Sequence, residues 1–224
     1  MIELYLDLIS PPCRAVFLFA KALGIPFEFK YVDLIAGQQY SSEFGKLNIV
    51  AKIPVMKDGG FTLSERYSRA SSFRLAFGRS LVSCRPAAAR ANEYLSWQHA
   101  NLRGHCQKVF LLRTLFPVIM GLEVPEVTMD AALENMKQSL NLLEEKFLQN
   151  KQFILGDKIS VADVVAVVEI MQVPQLLSLL LFELGEELMD DAHKALMQLS
   201  GLPEKLKSSS EFQKFKLRLQ RFFN

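Results

Sequence analysis

The 224-residue chain is poor in net charge: 26 basic residues meet 24 acidic ones, for a formal balance of +2. Such an excess is too weak to make nucleic acid or an anionic membrane the main partner. Cysteine is scarce as well. Cys13, Cys84 and Cys106 are odd in number and scattered, which argues against a disulfide framework and for a reducing compartment, the cytoplasm. His99 and His105 with Cys106 give no recognised zinc spacing, so no metal site is expected. No glycine-rich phosphate loop appears, and three histidines without further context support no Ser/His/Asp triad. Long apolar runs are missing too: residues 164–171 and 176–184 fall far short of the roughly 18 residues that span a bilayer. The opening MIELYLDLIS lacks a basic leader and carries Glu3 and Asp7, so it does not read as a signal peptide. No repeat of solenoid length is visible.

What is present is a globular composition, 50% apolar and 22% charged, enough to bury a sizeable core. The length suits one large or two small domains. In the first part, Ile2, Leu4, Leu6 and Leu8 alternate with Glu3, Tyr5 and Asp7, the period of a strand. Ser10-Pro11-Pro12 breaks it, and proline is well placed in the first turn of a helix, where its missing N–H costs nothing. Val16, Phe17, Phe19, Ala20 and Leu23 continue at helical spacing until Gly24 and Pro26 end the helix. Phe27, Phe29 and Tyr31 predict a second strand. Residues 53–56 and 61–63 flank Asp58-Gly59-Gly60, a hairpin signal. From about Ala87 no convincing strand remains. One long helix is predicted over 87–115 and another over 128–149. A third starts at Ser160 with a capping box completed by Asp163. Further helical stretches fall at about 175–199 and 211–223. An α/β part followed by an all-helical part implies two domains, with boundaries near 1–82 and 87–224.

The segments ELYLDLISPPCRAV, VDLIAGQQ, KIPVMKDGGFTLSE, EYLSWQH and LEEKFLQNKQFILGDKISVADVVAVVE, in this order, resemble the cytosolic glutathione transferases, most closely the theta class. They cover about 1–65 and 90–172. The resemblance implies a thioredoxin-like N-terminal domain that binds glutathione and a helical C-terminal domain that helps form the pocket for the electrophile. It implies a homodimer as well. No metal or redox cofactor is called for, because glutathione itself supplies the nucleophile as co-substrate.

The chemistry explains what such a site needs. A free thiol has a pKa of about 8.5, so at neutral pH the thiolate must be stabilised. A helix N-terminus offers unpaired N–H groups and partial positive charge, and a hydroxyl adds one donor. Ser10, where the first strand turns into the first helix, matches the theta-class serine with that role. Without the resemblance it would be an ordinary turn or N-cap serine. Ser10-x-x-Cys13 lacks the first thiol of a redox pair, and Cys13 reads as a core-facing helix residue. The resemblance further implies a cis peptide at Ile53-Pro54, with Ile53 exposing its backbone to the tripeptide as in strand addition. It places Gln39 and Lys52 at the glycine carboxylate, Gln39 standing where histidine is common. Glu65 falls at the γ-glutamyl end, but Arg66 replaces the usual serine and either pairs with that carboxylate or blocks the pocket. Arg103 matches a position beside the electrophile, where it would help a departing halide or sulfate. As a residue on its own it is a solvated helix arginine. Trp97, His99, Phe110 and Phe116 are further candidates for the pocket wall.

Two stretches depart from the pattern. Residues 66–92 contain Arg66, Arg69, Arg74, Arg79, Arg85 and Arg90 with no acid and five serines. Three readings stay open: a basic patch, a divergent helix with its stripe at Tyr67, Ala70, Phe73, Phe77 and Leu81, or a peptide produced by a compensated frame slip or mis-splicing. After Gln172 the chain reaches Asp191-Ala192-His193 sooner than the family does. Two functions are therefore expected to compete. One is a transferase acting on small halides, sulfate esters, epoxides or organic peroxides. The other is a catalytically impaired protein of the same fold that binds or interacts.

Overall fold

The computed structural model describes residues 1–64, 85–117, 121 and 123–173. These belong to two compact units: 1–64 with Gly121, and 85–117 with 123–173.

In the first unit β1 (Ile2–Leu6) pairs in parallel with β2 (Phe27–Tyr31) and antiparallel with β3 (Val55–Asp58). β4 (Phe61–Leu63) closes the hairpin with β3, giving the order β2-β1-β3-β4. Strand alternation puts Leu4 and Leu6 into the core, 1% and 0% exposed. Leu8 is not part of the strand. The Asp7 carboxylate accepts from the Ile9 amide two residues on, an Asx turn that bends the chain out of the sheet. The hairpin strand likewise begins at Val55, two residues later than its apolar run suggests.

The helix α1 (Pro11–Ala22) opens on two prolines and ends before Gly24, which takes a positive φ of 63°. It buries Cys13, Val16, Phe17 and Ala20. The Phe17 ring meets Phe27 and Phe29 of β2 edge-on, each with centroids 6.0 Å away. After β2, a 3₁₀ turn (Gln38–Tyr40) and the short α2 (Ser42–Leu47), capped by Ser41 Oγ, lead back to β3. This β-α-β-α-β-β order, with a mixed four-stranded sheet, is a thioredoxin-like domain.

The second unit is helical. The long helix expected over 87–115 is broken: α3 (Arg85–Ala100) stops at Asn101, and α4 (Leu102–Phe110) continues into a π-helical turn at Leu111–Leu115. At the interruption the Asn101 side chain folds back, and the Trp97 carbonyl accepts from its Nδ2 at 2.8 Å and from the Asn101 amide at 3.2 Å. α5 (Glu126–Leu142) starts two residues before the predicted Thr128, and it too passes into a π-helical turn, Leu143–Leu148. α6 (Val161–Ile170) carries the expected capping box. Ser160 Oγ accepts from the Ala162 amide, while Asp163 Oδ2 accepts from Ser160 N at 2.8 Å. Almost all of α6 is buried, as expected of a helix apolar on every side. The stretches predicted at 175–199 and 211–223, and most of the arginine-rich segment, lie outside the described residues.

Candidate active site

Strand register gathers three loops at one end of the sheet. Tyr5 of β1 stands opposite Val55 of β3, so the chain leaving β1 and the chain entering β3 meet at the same end. Leu6 is also the register partner of Tyr31 in the parallel β2, whose exit lies there as well. Ser10, the Gln39 turn and the Lys52-Ile53 approach to β3 therefore belong to neighbouring loops.

Ser10 is the N-cap residue of α1, with φ −79° and ψ 121°, and it is half-buried. Serine in this place ordinarily turns its oxygen onto its own helix. Here no side-chain cap bond forms, although the backbone is fully engaged: Ser10 O accepts from Cys13 N and Arg14 N. No acid occupies the first turn of α1 itself, so no side chain of that turn offsets the positive end of the helix dipole.

Below this turn lie two charged residues that sequence reasoning left aside. Asp7 is 2% exposed, and Arg14 is fully buried. Asp7 Oδ1 and Oδ2 accept from Ile9 N and Leu34 N, at 3.0 and 3.1 Å. Burial pushes the Asp7 carboxyl above the usual aspartate range, against the pull of those two amides and of Arg14. Arg14 Nη1 donates to the carbonyls of Leu8 and Ile9, both at 2.9 Å. The signal was available: an acid and a base bracket the Ser-Pro-Pro turn, and Arg14 interrupts an otherwise apolar face.

The Ile53-Pro54 peptide is cis, and Ile53 is 9% exposed. Lys52 is exposed. Its carbonyl accepts from Asn48 Nδ2 at 2.8 Å, so Asn48, whose Oδ1 also takes the Val50 amide, shapes the approach to the cis bond. Gln39 is 7% exposed, and its Oε1 has no hydrogen-bond partner, a polar group left unmet at this end of the sheet. Cys13 is wholly buried, in keeping with a core-facing residue. Glu65 and Arg66 lie outside the described residues.

In the helical unit Arg103 is far from solvated. Its Nη1 pairs with Glu169 Oε1 at 2.9 Å, and Gln172 Nε2 holds Glu169 Oε2 at 2.8 Å. Trp97 stacks in a cluster with Tyr94 and Phe147, with centroids 6.0 and 4.7 Å away. His99 is exposed, while Phe110 and Phe116 are half-buried. Among the described residues no three His, Cys, Asp or Glu side chains gather as a metal site would require, and no helix is long and apolar enough to cross a membrane.

The sheet, its loops and the helical unit match known proteins throughout. Residues 4–66 fit the glutathione S-transferase N-terminal domain, and residues 105–199 the C-terminal domain of the same family. The chain belongs to the glutathione S-transferase family. Within it, the relatives are of the theta class. The chain is 39% identical to Homo sapiens glutathione S-transferase theta-1 over 224 aligned positions, covering 90% of this chain and 91% of the relative. Among solved structures it superposes on human glutathione-S-transferase T1-1, apo form, with a TM-score of 0.87 at 36% identity, covering all of both chains. It also superposes on a human theta-class glutathione transferase in complex with the glutathione conjugate of 1-menaphthyl sulfate, at TM-score 0.83 and 34% identity over 96% of each chain.

Proposed function

We propose that this chain is a theta-type glutathione transferase in which the Ser10 hydroxyl holds the glutathione thiol as thiolate for attack on small electrophiles: halides, sulfate esters, epoxides or organic peroxides. The observation that carries this reading is the Ser10 side chain, which sits at the N-terminus of α1 without capping it. A hydroxyl not bound to its own helix is available to a sulfur, and a helix N-terminus with no acid in its first turn favours the anion. The cis Ile53-Pro54 bond supports a backbone seat for the tripeptide. Lys52, exposed on the approach to the cis bond, would offer its cation to the glycine carboxylate, and Gln39 would meet it through its side-chain N–H. Glu65 and Arg66 would face the γ-glutamyl end. Arg103 would reach the leaving group only at the expense of its bond to Glu169. The theta-class relative in complex with a glutathione conjugate supports glutathione as co-substrate. A cytoplasmic homodimer taking part in detoxification completes the reading.

One observation favours a second reading. Arg66 stands where the family has serine, and with Arg103 tied to Glu169 the chain would be a transferase-fold protein that has lost turnover. Calorimetric titration with glutathione, followed by halide and peroxide assays on wild type and Ser10→Ala, separates the two. Binding with turnover that Ser10→Ala lowers steeply, to a small residual rate, upholds the first reading. Absence of binding heat at millimolar glutathione overturns it. Restoring serine at position 66 shows whether Arg66 is responsible.

A further inference from the structure

The turn that presents Ser10 is held far more tightly than a strand-to-helix connection requires. Leu8 O and Ile9 O both accept from the single nitrogen Arg14 Nη1. Ile9 N donates to the Asp7 carboxylate, and Ser10 N to the Asp7 carbonyl at 3.0 Å. Ser10 O is taken by the amides of Cys13 and Arg14 at 2.9 and 3.0 Å. The second Asp7 oxygen reaches across to Leu34 N and ties in the loop after β2. A serine oxygen lies one rotatable bond from the backbone, so fixing the backbone on both sides of Ser10 limits its hydroxyl to a few rotamer positions.

This arrangement is expensive as a device for stability. A guanidinium with no solvent exposure and a carboxylate at 2% exposure are both removed from water. Replacing such buried charges by apolar side chains of similar volume is often neutral or stabilising. Cys13 and Val16, beside Arg14 on the same helix, are apolar and buried, so the surroundings accept an apolar residue. What an apolar residue would not supply is a donor to two successive carbonyls ahead of Ser10.

We infer that Arg14 is a positioning residue for Ser10: together with Asp7, which holds the Ile9 amide from the other side, it fixes the Leu8-Ile9-Ser10 backbone so that the serine oxygen stands at a defined point above the N-terminus of α1. The inference rests on the proposed role of Ser10. It adds a residue that never touches substrate yet sets how well the hydroxyl meets the sulfur. Misplacing a reacting group by about 1 Å can cost on the order of a hundredfold in rate, and a rigid supporting shell prevents such a loss.

Two measurements on Arg14→Gln test this, one of them independent of glutathione. In the first, kcat is expected to fall on the order of tenfold to a hundredfold while KM for glutathione stays within about threefold. In the Ser10→Ala background the same change should cost nothing further, because the group it positions is gone. In the second, Ser10→Cys in a Cys13→Ala background places a single thiol at the same point, and its iodoacetamide reaction is followed against pH by mass spectrometry of the peptide that carries position 10. Adding Arg14→Gln should move the midpoint upward by about one unit, as expected when a thiolate loses its fixed donors. If Arg14→Gln does not fold, by near-ultraviolet circular dichroism, Arg14→Lys replaces it and should shift the midpoint the same way by less. An unmoved midpoint, or an equal loss of kcat with and without Ser10, overturns the positioning role. A shifted midpoint in a protein that neither binds nor turns over glutathione leaves the positioning role standing and removes the glutathione reading instead.

Discussion

Arg103 of α4 and Glu169 of α6 form an ion pair at 2.9 Å with Glu169 only 2% exposed, so the guanidinium faces a carboxylate buried in the helical unit. Gln172 Nε2 donates to the same carboxylate. Arg103→Met removes the cation and leaves the buried acid uncompensated, and breaking such a pair typically costs about 3–5 kcal/mol. The urea midpoint of Arg103→Met should fall accordingly. Arg103→Met with Glu169→Leu should recover most of the loss, because both charges then disappear together. A single variant as stable as wild type would show that the pair carries no weight.

The capping box at α6 is asymmetric. Ser160 Oγ accepts from one helix amide, whereas Asp163 accepts from Ile154 N, Ser160 N and Ser160 Oγ at 2.8, 2.8 and 2.6 Å. Ser160→Ala should cost about 1 kcal/mol. Asp163→Ala leaves the buried amides of Ile154 and Ser160 without an acceptor and should cost about 2–4 kcal/mol. Thermal unfolding of the two variants side by side reads the order, and equal losses would contradict it.

Asp7 carries a pH signature. Burial raises its pKa in the folded chain above the unfolded value of about 3.9. Through the window from that value up to the raised one, the folded state holds the proton more tightly than the unfolded state. The contribution of Asp7 to stability is therefore greatest below the window, declines as pH rises through it, and stays low above. Asp7→Asn cannot ionise. The stability of wild type relative to Asp7→Asn should fall with rising pH across the window, in denaturation midpoints measured from acid to neutral pH. Parallel curves would refute the raised pKa.

Much of this was legible in the chain itself, wherever one residue type has one structural use. Alternation marked β1, Gly24 marked the end of α1, and Ser160 with Asp163 marked the start of α6. The hairpin at Asp58-Gly59-Gly60 was equally plain. The errors arose where a side chain competes with the backbone. Asp7 ended β1 two residues early by taking the Ile9 amide, and the helical pattern breaks at Asn101, whose side chain shares the Trp97 carbonyl with its own amide. Periodicity weighs apolar positions and is blind to both events. The candidate site divided in the same way. Ser10 stood out because a resemblance pointed to it, whereas Asp7 and Arg14 did not, since the partners of a buried charge come from tertiary contacts such as the one with Leu34 N. Arg103 looked like a surface cation for want of any sequence link to Glu169, 66 residues away.

The idle cap at Ser10 separates two kinds of selection. Since the hydroxyl makes no bond to α1, its loss should barely change how firmly the chain folds. A deep mutational scan scored by abundance or protease resistance would then rate position 10 as permissive. The same library scored by conjugation would rate it among the least forgiving, so the gap between the two maps would itself mark the working oxygen.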